Sequence, residues 1–276
     1  MILVTGATGN VGQELARRLA DAGQHVRALV RKQGPSSLPA SVETIAGDLD
    51  RPASLSAALA GVHGVFLLAG YKDMAGVLAE IHRAGVQQVV LLSSRSIVGG
   101  NPGNAIVNMF MVSEAAVQSS GVSWAILRPG GFMSNALRWA PQIRAGDVVR
   151  GPFAGAPIAA IDPHDLAAVA ATVLTSEGHD GRSYLLTGPK ALLPADQVRV
   201  LASVLGRELR FSGQSDAEAR AEMGQSMPAD FVDAFFRFFS AGEFDDSSVL
   251  PTVEEILGRP PRTFEQWAKQ HAAAFR

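Results

Sequence analysis

The chain has 276 residues, of which 47% are apolar and 18% charged, a composition typical of a folded protein with a sizeable core. Lysine and arginine number 24 against 26 acidic residues, and this net charge of −2 argues against a nucleic-acid partner held by its phosphates. Cysteine is absent, which excludes disulfides, cysteine-ligated zinc, iron–sulfur clusters and thiol catalysis.

The N-terminal residues contain neither the basic segment nor the apolar segment of a secretory signal. No apolar run reaches the roughly 20 residues of a membrane helix, and the longest candidate, 86–94, has the length of a strand. We therefore expect a soluble cytoplasmic protein without membrane contacts, and the lack of cysteine agrees with a reducing compartment.

Short apolar segments alternate with segments of helical periodicity over the first two-thirds of the chain. Strands are predicted over 2–4, 25–31, 42–46, 62–68, 88–92, 124–127 and 184–186. Helices are predicted from residue 11 to Gly23 and over 53–60, 74–84, 106–119, 135–144, 195–205 and beyond 216. This alternation predicts an α/β fold with a Rossmann-type, doubly wound parallel sheet and a smaller, helix-rich C-terminal lobe.

A glycine-rich turn joins the first strand to the first helix. Gly6 permits the tight turn, Gly9 lets a pyrophosphate approach the backbone, and Gly12 lets the helix pack closely on the sheet. Free N–H groups at the start of a helix attract phosphate. A glycine turn without a ligand is the alternative, which the flanking strand and helix disfavour. The predicted dinucleotide contacts here are Gly6, Thr8, Gly9, Asn10, Val11 and Gly12.

The end of the second strand indicates which dinucleotide is bound. Arg31 and Lys32 stand where an NAD site has an acidic residue for the ribose 2′-hydroxyl. Two cations suit a 2′-phosphate, and Arg31 can bind it in bidentate fashion. A solvated basic loop is the alternative interpretation. We predict NADPH as the cofactor in preference to NADH.

Further cofactor contacts are predicted where three other strands end. Asp48 and Leu49 follow the third strand, where Asp48 either accepts from the adenine amino group or caps the next helix. Ala69 and Gly70 close the fourth strand and leave room for a cofactor where the strand order reverses. Ser93 ends the fifth strand at the same edge of the sheet, and we include it.

Several short motifs together carry a family resemblance. They are Thr5–Gly12, Val26–Arg31, Gly47–Leu49, Leu92–Ser94, the helix around Glu114, Leu127–Gly130 with Phe132 and Asn135, Ile161–Asp165, Leu186–Pro189 and Arg259–Phe264. Over nearly its whole length the chain resembles the NmrA-like branch of the atypical short-chain dehydrogenases/reductases. Within that branch it is most similar to bacterial NAD(P)H:quinone oxidoreductases and azoreductase-like proteins. The branch also contains redox-sensing regulators that bind dinucleotide without turning it over.

The wider superfamily uses a Tyr-x3-Lys pair, in which the tyrosine donates a proton. The two tyrosines, Tyr71 and Tyr184, are not followed by lysine at that offset. If Glu114 matches the helix glutamate of the family, the positions of the pair hold Ile106 and Phe110. The catalytic residues are therefore left unassigned.

A quinone acceptor avoids the need for that pair, because its reduction gives an aromatic hydroquinone anion that water protonates. Such an enzyme chiefly aligns two planar rings within an apolar pocket. Phe110, Phe132, Met133 and Trp139 are the predicted pocket residues, and core packing is the alternative for each.

Two polar residues are predicted to contact the substrate. Ser94 either bonds a substrate carbonyl or caps a turn, and Asn135 either contacts substrate or caps the following helix. Asp162, His164 and Asp165 are interpreted as the capped start of a helix rather than as a catalytic pair or metal site. No spacing of histidine and acidic residues predicts a metal.

The last third of the chain contains a run of phenylalanines. Phe231, Phe235 and Phe238 share one helical face, Phe239 extends it, and Phe236 lies to the side. We expect this face to pack against the first domain, with Phe235 or Phe239 bordering the acceptor pocket. Pure core packing or a homodimer contact are the alternatives.

The sequence thus predicts a dinucleotide-binding domain of residues 1–134 and about 155–188, and a smaller substrate lobe of 135–154 and 189–276. The predicted function is NADPH-dependent transfer of a hydride to a quinone-like or other conjugated small molecule. The alternative is a non-catalytic dinucleotide sensor that acts through a protein partner.

Overall fold

The computed structural model describes residues 1–32 and 38–276. Within these residues the strands are β1 (Ile2–Val4), β2 (Val26–Val30), β3 (Glu43–Ala46), β4 (Gly64–Leu68), β5 (Gln88–Leu92), β6 (Ser123–Pro129), β7 (Val148–Gly151), β8 (Arg182–Leu186) and β9 (Arg210–Gly213). Seven of them form one parallel sheet in the order β3-β2-β1-β4-β5-β6-β8, and β7 pairs in parallel with β9.

The helices surround the sheet and build the C-terminal lobe. They are α1 (Asn10–Asp21), α2 (Ser56–Leu59), α3 (Met74–Arg83), α4 (Ala105–Gln118), α5 (Ala140–Ala145), α6 (Pro163–Thr175), α7 (Pro194–Leu205), α8 (Asp216–Met223), α9 (Ala229–Phe239), α10 (Thr252–Leu257) and α11 (Phe264–Gln270). Short 3-10 helices cover Pro52–Leu55, Arg95–Ile97, Met133–Trp139 and Ala272–Phe275. None of the helices in the described parts of the chain is long and apolar enough to cross a membrane.

Both faces of the sheet are covered by helices, as the apolar strands require. In β1, Ile2 and Val4 pack on the side of α1 and α6, while Leu3 packs on the side of α2 and α3. The same alternation of sides continues in β4 and β5, where Phe66 and Val90 join the α1 side. The predicted Rossmann-type architecture is confirmed by this arrangement.

The C-terminal lobe has a core of its own, formed by α5, α7 and α11 around Trp139, Trp267 and Phe275. Helix α10 belongs instead with the sheet, because Val253 is buried on the α1 side. The predicted division of the chain into two domains remains a prediction.

Two features of the fold were not predicted. Strands β7 and β9 have only four residues each, and their pairing joins segments about 60 residues apart in sequence, so no local pattern marks them. The segment predicted as a helix over 135–144 is a 3-10 helix followed by the short α5.

Candidate active site

The glycine-rich turn between β1 and α1 has the backbone geometry that its sequence predicts. Gly6 has a φ of 61°, in the left-handed region, and its carbonyl oxygen accepts from the Gly9 amide at 2.9 Å. A side chain at Gly12 would clash with that same carbonyl oxygen. The turn and the start of α1 are therefore packed backbone to backbone.

The N-terminus of α1 has free amides suited to a phosphate. Gly9 precedes the helix and offers no side-chain cap, and the first turn contains no acidic residue. Thr8, Gly9 and Asn10 are exposed, so a ligand can reach these amides. This arrangement fits the pyrophosphate of a dinucleotide.

Arg31 and Lys32 are exposed directly after β2, at the same edge of the sheet. Asp48, after β3, accepts from the Asp50 amide at 3.1 Å through its side chain and pairs loosely with Arg51 at 3.7 Å. Arg51 is the residue that precedes the following 3-10 helix, so the alternative that Asp48 caps the next helix is wrong. The role of Asp48 toward adenine stays a prediction.

Gly70 after β4 needs its glycine for two reasons. Its φ is 94°, and a Cβ would lie 2.9 Å from the Met109 sulfur on α4. Its amide donates to the Ser113 hydroxyl at 3.0 Å. The chain therefore runs close to α4 as it leaves the central strand.

Ser93 lies at the end of β5, buried beside a charged pair. Its hydroxyl donates to Glu114 Oε1 at 2.5 Å. Arg128 donates to both oxygens of the same carboxylate, from Nε at 3.0 Å and from Nη2 at 2.6 Å. Because the Ser93 hydroxyl donates its proton to Glu114, the oxygen of Ser93 remains a hydrogen-bond acceptor at the sheet edge.

A cavity of about 580 Å³ lies between the carboxyl ends of β5 and β6 and the C-terminal lobe. Its size is typical of small-molecule sites, and it adjoins the sheet edge where Rossmann-type sheets bind ligands. Aromatic rings form much of its wall. They belong to Phe110, Phe132, Trp139, Phe153, Phe235, Phe238, Phe239 and Phe244.

The structure brings most of the predicted substrate residues to this cavity. Those that line it are Ser94, Phe110, Phe132, Asn135, Trp139, Phe235 and Phe239, together with Ser93. Met133 does not line it, and that prediction was wrong. Met133 is 2% exposed and packs within the core of the C-terminal lobe.

The alternatives left open for the polar residues are now resolved in part. Ser94 caps the Arg95–Ile97 turn by accepting from the Ser96 amide at 3.2 Å, and it also lines the cavity. Asn135 lies inside its 3-10 helix, so it does not cap it. Asp162 caps α6 by accepting from the His164 amide at 2.9 Å, as predicted.

The phenylalanines of α9 divide between two sides of the helix. Phe235 and Phe238 pack with Ile106 and Phe110 of α4, which attaches α9 to the sheet domain as expected. Phe236 is 1% exposed on another side, with its ring 5.0 Å from that of Phe153. The face shared by Phe235 and Phe239 thus borders the cavity, while Phe236 is core.

Many residues of the cavity were not predicted, among them Arg138, Phe153, Phe244 and Asp246. Phe153 has a φ of 56°, the only positive value among the described residues other than glycine. Asp246 lies in a segment without periodicity, and only the Gly130–Gly131 pair that it contacts could have indicated a close approach.

Comparison with known proteins agrees with this site. Residues 6–177 match a family described as NAD(P)H-binding. The chain belongs to this NAD(P)H-binding family and, within it, to the NmrA-like atypical short-chain dehydrogenases/reductases. NAD(P)H binding and the Rossmann-type fold are thereby established.

Three relatives show how far the similarity extends. The (4-alkanoyl-5-oxo-2,5-dihydrofuran-3-yl)methyl phosphate reductase of Streptomyces griseus is 42% identical over 280 residues, covering 100% of this chain and 99% of that protein. The NAD(P)H azoreductase of Xenophilus azovorans is 36% identical, with 100% and 99% covered. The structure of the NADPH-dependent quinone oxidoreductase of Escherichia coli in complex with NADPH superposes with a TM-score of 0.79 at 25% identity, covering 98% and 99%.

Proposed function

We propose that this protein uses NADPH to reduce a quinone-like or other conjugated small molecule in the aromatic cavity. The observation that carries the proposal is the position of this cavity, at the carboxyl edge of the same sheet that presents the glycine-rich turn. The reductase activities of the relatives support the same reaction class.

The cofactor is bound by residues at the ends of β1 and β2. The amides after Gly9 hold the pyrophosphate, and Arg31 with Lys32 holds the 2′-phosphate that distinguishes NADPH from NADH. The bound cofactor supplies a hydride. Because the protein provides alignment and exclusion of water, most of its contribution comes from the shape of the cavity.

The acceptor is a flat, conjugated molecule that stacks on or against aromatic rings. Phe110 lies on α4 and Trp139 ends the 3-10 helix before α5, and both line the cavity with Phe132. Rings so arranged favour planar ligands over branched aliphatic ones.

One cation of the cavity suits an acidic group on the acceptor. Arg138 lines the cavity with its guanidinium 5.4 Å from the Trp139 ring, and within the described residues it makes no ion pair. Arg150, by contrast, is paired with Glu218 at 2.9 Å. The substrate of the Streptomyces relative carries a phosphate, which agrees with an acceptor anchored by Arg138.

The experiment is NADPH oxidation measured across quinones, azo dyes and enones, including one furanone as its phosphate ester and as the free alcohol. We expect turnover of at least one class, and a lower KM for the ester. Arg138→Gln should remove the preference for the ester and leave the KM for the alcohol unchanged. Arg150→Gln, which changes the cation paired with Glu218, is the matched control. Tight NADPH binding without turnover of any acceptor would contradict the proposal and favour the sensor.

A further inference from the structure

Asp246 is a buried carboxyl held at the wall of the cavity. It lies in the segment between α9 and α10 that crosses the carboxyl edge of the sheet, and 4% of it is exposed. Its Oδ2 accepts from the Gly131 amide at 2.7 Å, and its backbone carbonyl accepts from the Ala159 amide at 2.7 Å. The carboxyl is therefore fixed in place rather than free to turn toward water.

The glycine pair after β6 makes room for this carboxyl. A Cβ at Gly130 would lie 2.5 Å from Asp246 Oδ1, and one at Gly131 would lie 3.4 Å from Oδ2. Because any other residue at 130 would displace the carboxyl, these two glycines and Asp246 form one unit at the cavity wall.

The nearby guanidinium of Arg95 donates its hydrogen bonds to backbone carbonyls rather than to Asp246. Arg95 donates to the carbonyl oxygen of Asp245 at 2.6 Å and to that of Ser248 at 3.0 Å. Its Nε is 3.7 Å from Asp246 Oδ1, beyond hydrogen-bond distance. Asp246 Oδ1 thus has no hydrogen-bond partner among the described residues.

Several groups act on the titration of this carboxyl. Burial raises the pKa of Asp246 to about 6, while the Gly131 amide and the Arg95 guanidinium lower it and Asp245 raises it. Burial outweighs the cation, so a useful fraction of the carboxyl holds a proton near neutral pH.

We propose that Asp246 is a catalytic residue, the proton donor to conjugated acceptors that do not become aromatic on reduction. The inference rests on the proposed function, and it is carried by the buried carboxyl at the wall of the acceptor cavity, whose Oδ1 accepts no hydrogen bond from the described residues and lies 3.7 Å from the Arg95 Nε.

Reduction of an enone requires one hydride and one proton. The acceptor gains the hydride at its β-carbon and becomes an enolate, whose C=C electron pair forms the new C–H bond at the α-carbon while the carbonyl C=O bond forms again. The O–H bond of Asp246 breaks as its proton passes to the α-carbon, so a saturated ketone and a carboxylate result. A solvent proton restores the acid before the next turnover.

Quinones provide an internal control for this role. Their two-electron reduction yields an aromatic hydroquinone anion, whose protonation by water needs no residue of the protein. Loss of the acid should therefore slow enone reduction selectively, whereas a merely structural role would slow both.

The test is Asp246→Asn, which keeps the shape and an oxygen that accepts from Gly131. We expect the kcat for an enone to fall by about 10²- to 10⁴-fold, the usual contribution of a general acid. The kcat for a quinone and the Kd for NADPH should change less than about threefold, within the scatter of a neutral change. Glu243→Gln, in the same segment but exposed and outside the cavity wall, is the matched control and should change neither.

Two further measurements do not depend on the activity of this variant, and the first needs only the wild type. In the wild type, enone kcat should fall as pH rises through about 6 while quinone kcat does not. In the absence of cofactor, the infrared band of a protonated carboxyl should titrate in the same range and be missing from Asp246→Asn.

Equal losses for enone and quinone, or no loss for either, would overturn the role of Asp246 while leaving the proposed function intact. A wild type that reduces quinones but no enone would overturn the role of Asp246 as well. If the wild type reduces no acceptor, the proposed function fails, and this inference with it.

Discussion

The glycine-rich turn is made by one stretch of eight residues, 5–12, whereas the acceptor cavity is lined by side chains drawn from residues 93 to 246. The turn works through backbone: a left-handed Gly6, free amides and the absence of side chains. The cavity works through side chains, among them the aromatic rings of Phe110 on α4 and of Phe235 and Phe239 on α9.

This difference implies different responses to mutation. A backbone site is lost when a side chain is added, because the added atoms occupy the space of the ligand. At a site made of side chains, the affinity for the ligand changes gradually as each ring is shortened or replaced. Binding of the cofactor and choice of acceptor should therefore be separable by mutation, and the following changes test that separation.

The largest effect is expected at the turn. Gly9→Val should abolish NADPH binding in calorimetry, because the added side chain fills the space that the pyrophosphate needs. A Cβ at Gly9 has only the Gly6 carbonyl oxygen nearby, at 3.3 Å, so the melting temperature should change little. Gly12→Val is the contrasting control, since its side chain clashes with Gly6 and should unfold the protein. Unchanged NADPH affinity in Gly9→Val would show that the phosphate lies elsewhere.

The next effect separates core from cavity within α9. Phe236→Ala should lower the free energy of unfolding by about 3–5 kcal/mol, the usual cost of removing a buried ring. Phe235→Ala should cost less stability and instead raise the KM for a bulky acceptor, with NADPH binding unchanged. Urea unfolding and acceptor kinetics measure the two effects. Acceptor kinetics unaltered in Phe235→Ala would mean that this helix face is purely structural.

A third effect concerns pH. Because burial raises the pKa of Asp246 from 3.8 to about 6, protonation favours the folded state. Its stabilising contribution is complete below pH 3.8 and is lost as pH rises through about 6. Relative to Asp246→Asn, the wild type should lose up to about 3 kcal/mol of stability over that range. A difference between the two that stays constant with pH would contradict the raised pKa.

The smallest effect is expected at the edge of the cofactor site. Arg31→Ala should weaken NADPH binding by about 1–3 kcal/mol, as expected for loss of a charge-assisted contact, and barely change NADH binding. Calorimetry with both cofactors measures the difference. Equal losses for the two would exclude a contact with the 2′-phosphate.

The sequence predicts the sheet and the geometry of the glycine-rich turn well, because both depend on local patterns. Strand β5 was predicted with its observed bounds, and the burial of Val11, Leu15 and Leu19 in α1 follows from their spacing. The turn could be predicted because its glycines perform their functions within eight residues.

The cavity was predicted only in part. Phe235 and Phe239 were found because a helical face is periodic. Met133 was chosen only for its nearness to the expected nicotinamide, which does not determine where its side chain packs. Asp246 could not be found, because its burial depends on Gly131, 115 residues earlier in the chain. Contacts of that range leave no periodic signal in sequence.

The hydrogen bond between Gly131 and Asp246 also has a consequence for synthesis. At ~5–20 residues per second, the 115 residues between them take about 6 to 23 s to translate. During most of that interval the apolar side of α4 has been made but lacks α9, which packs on it. We expect the nascent chain to present this surface to chaperones, and chains truncated before residue 246 to aggregate in pulse-labelled translation.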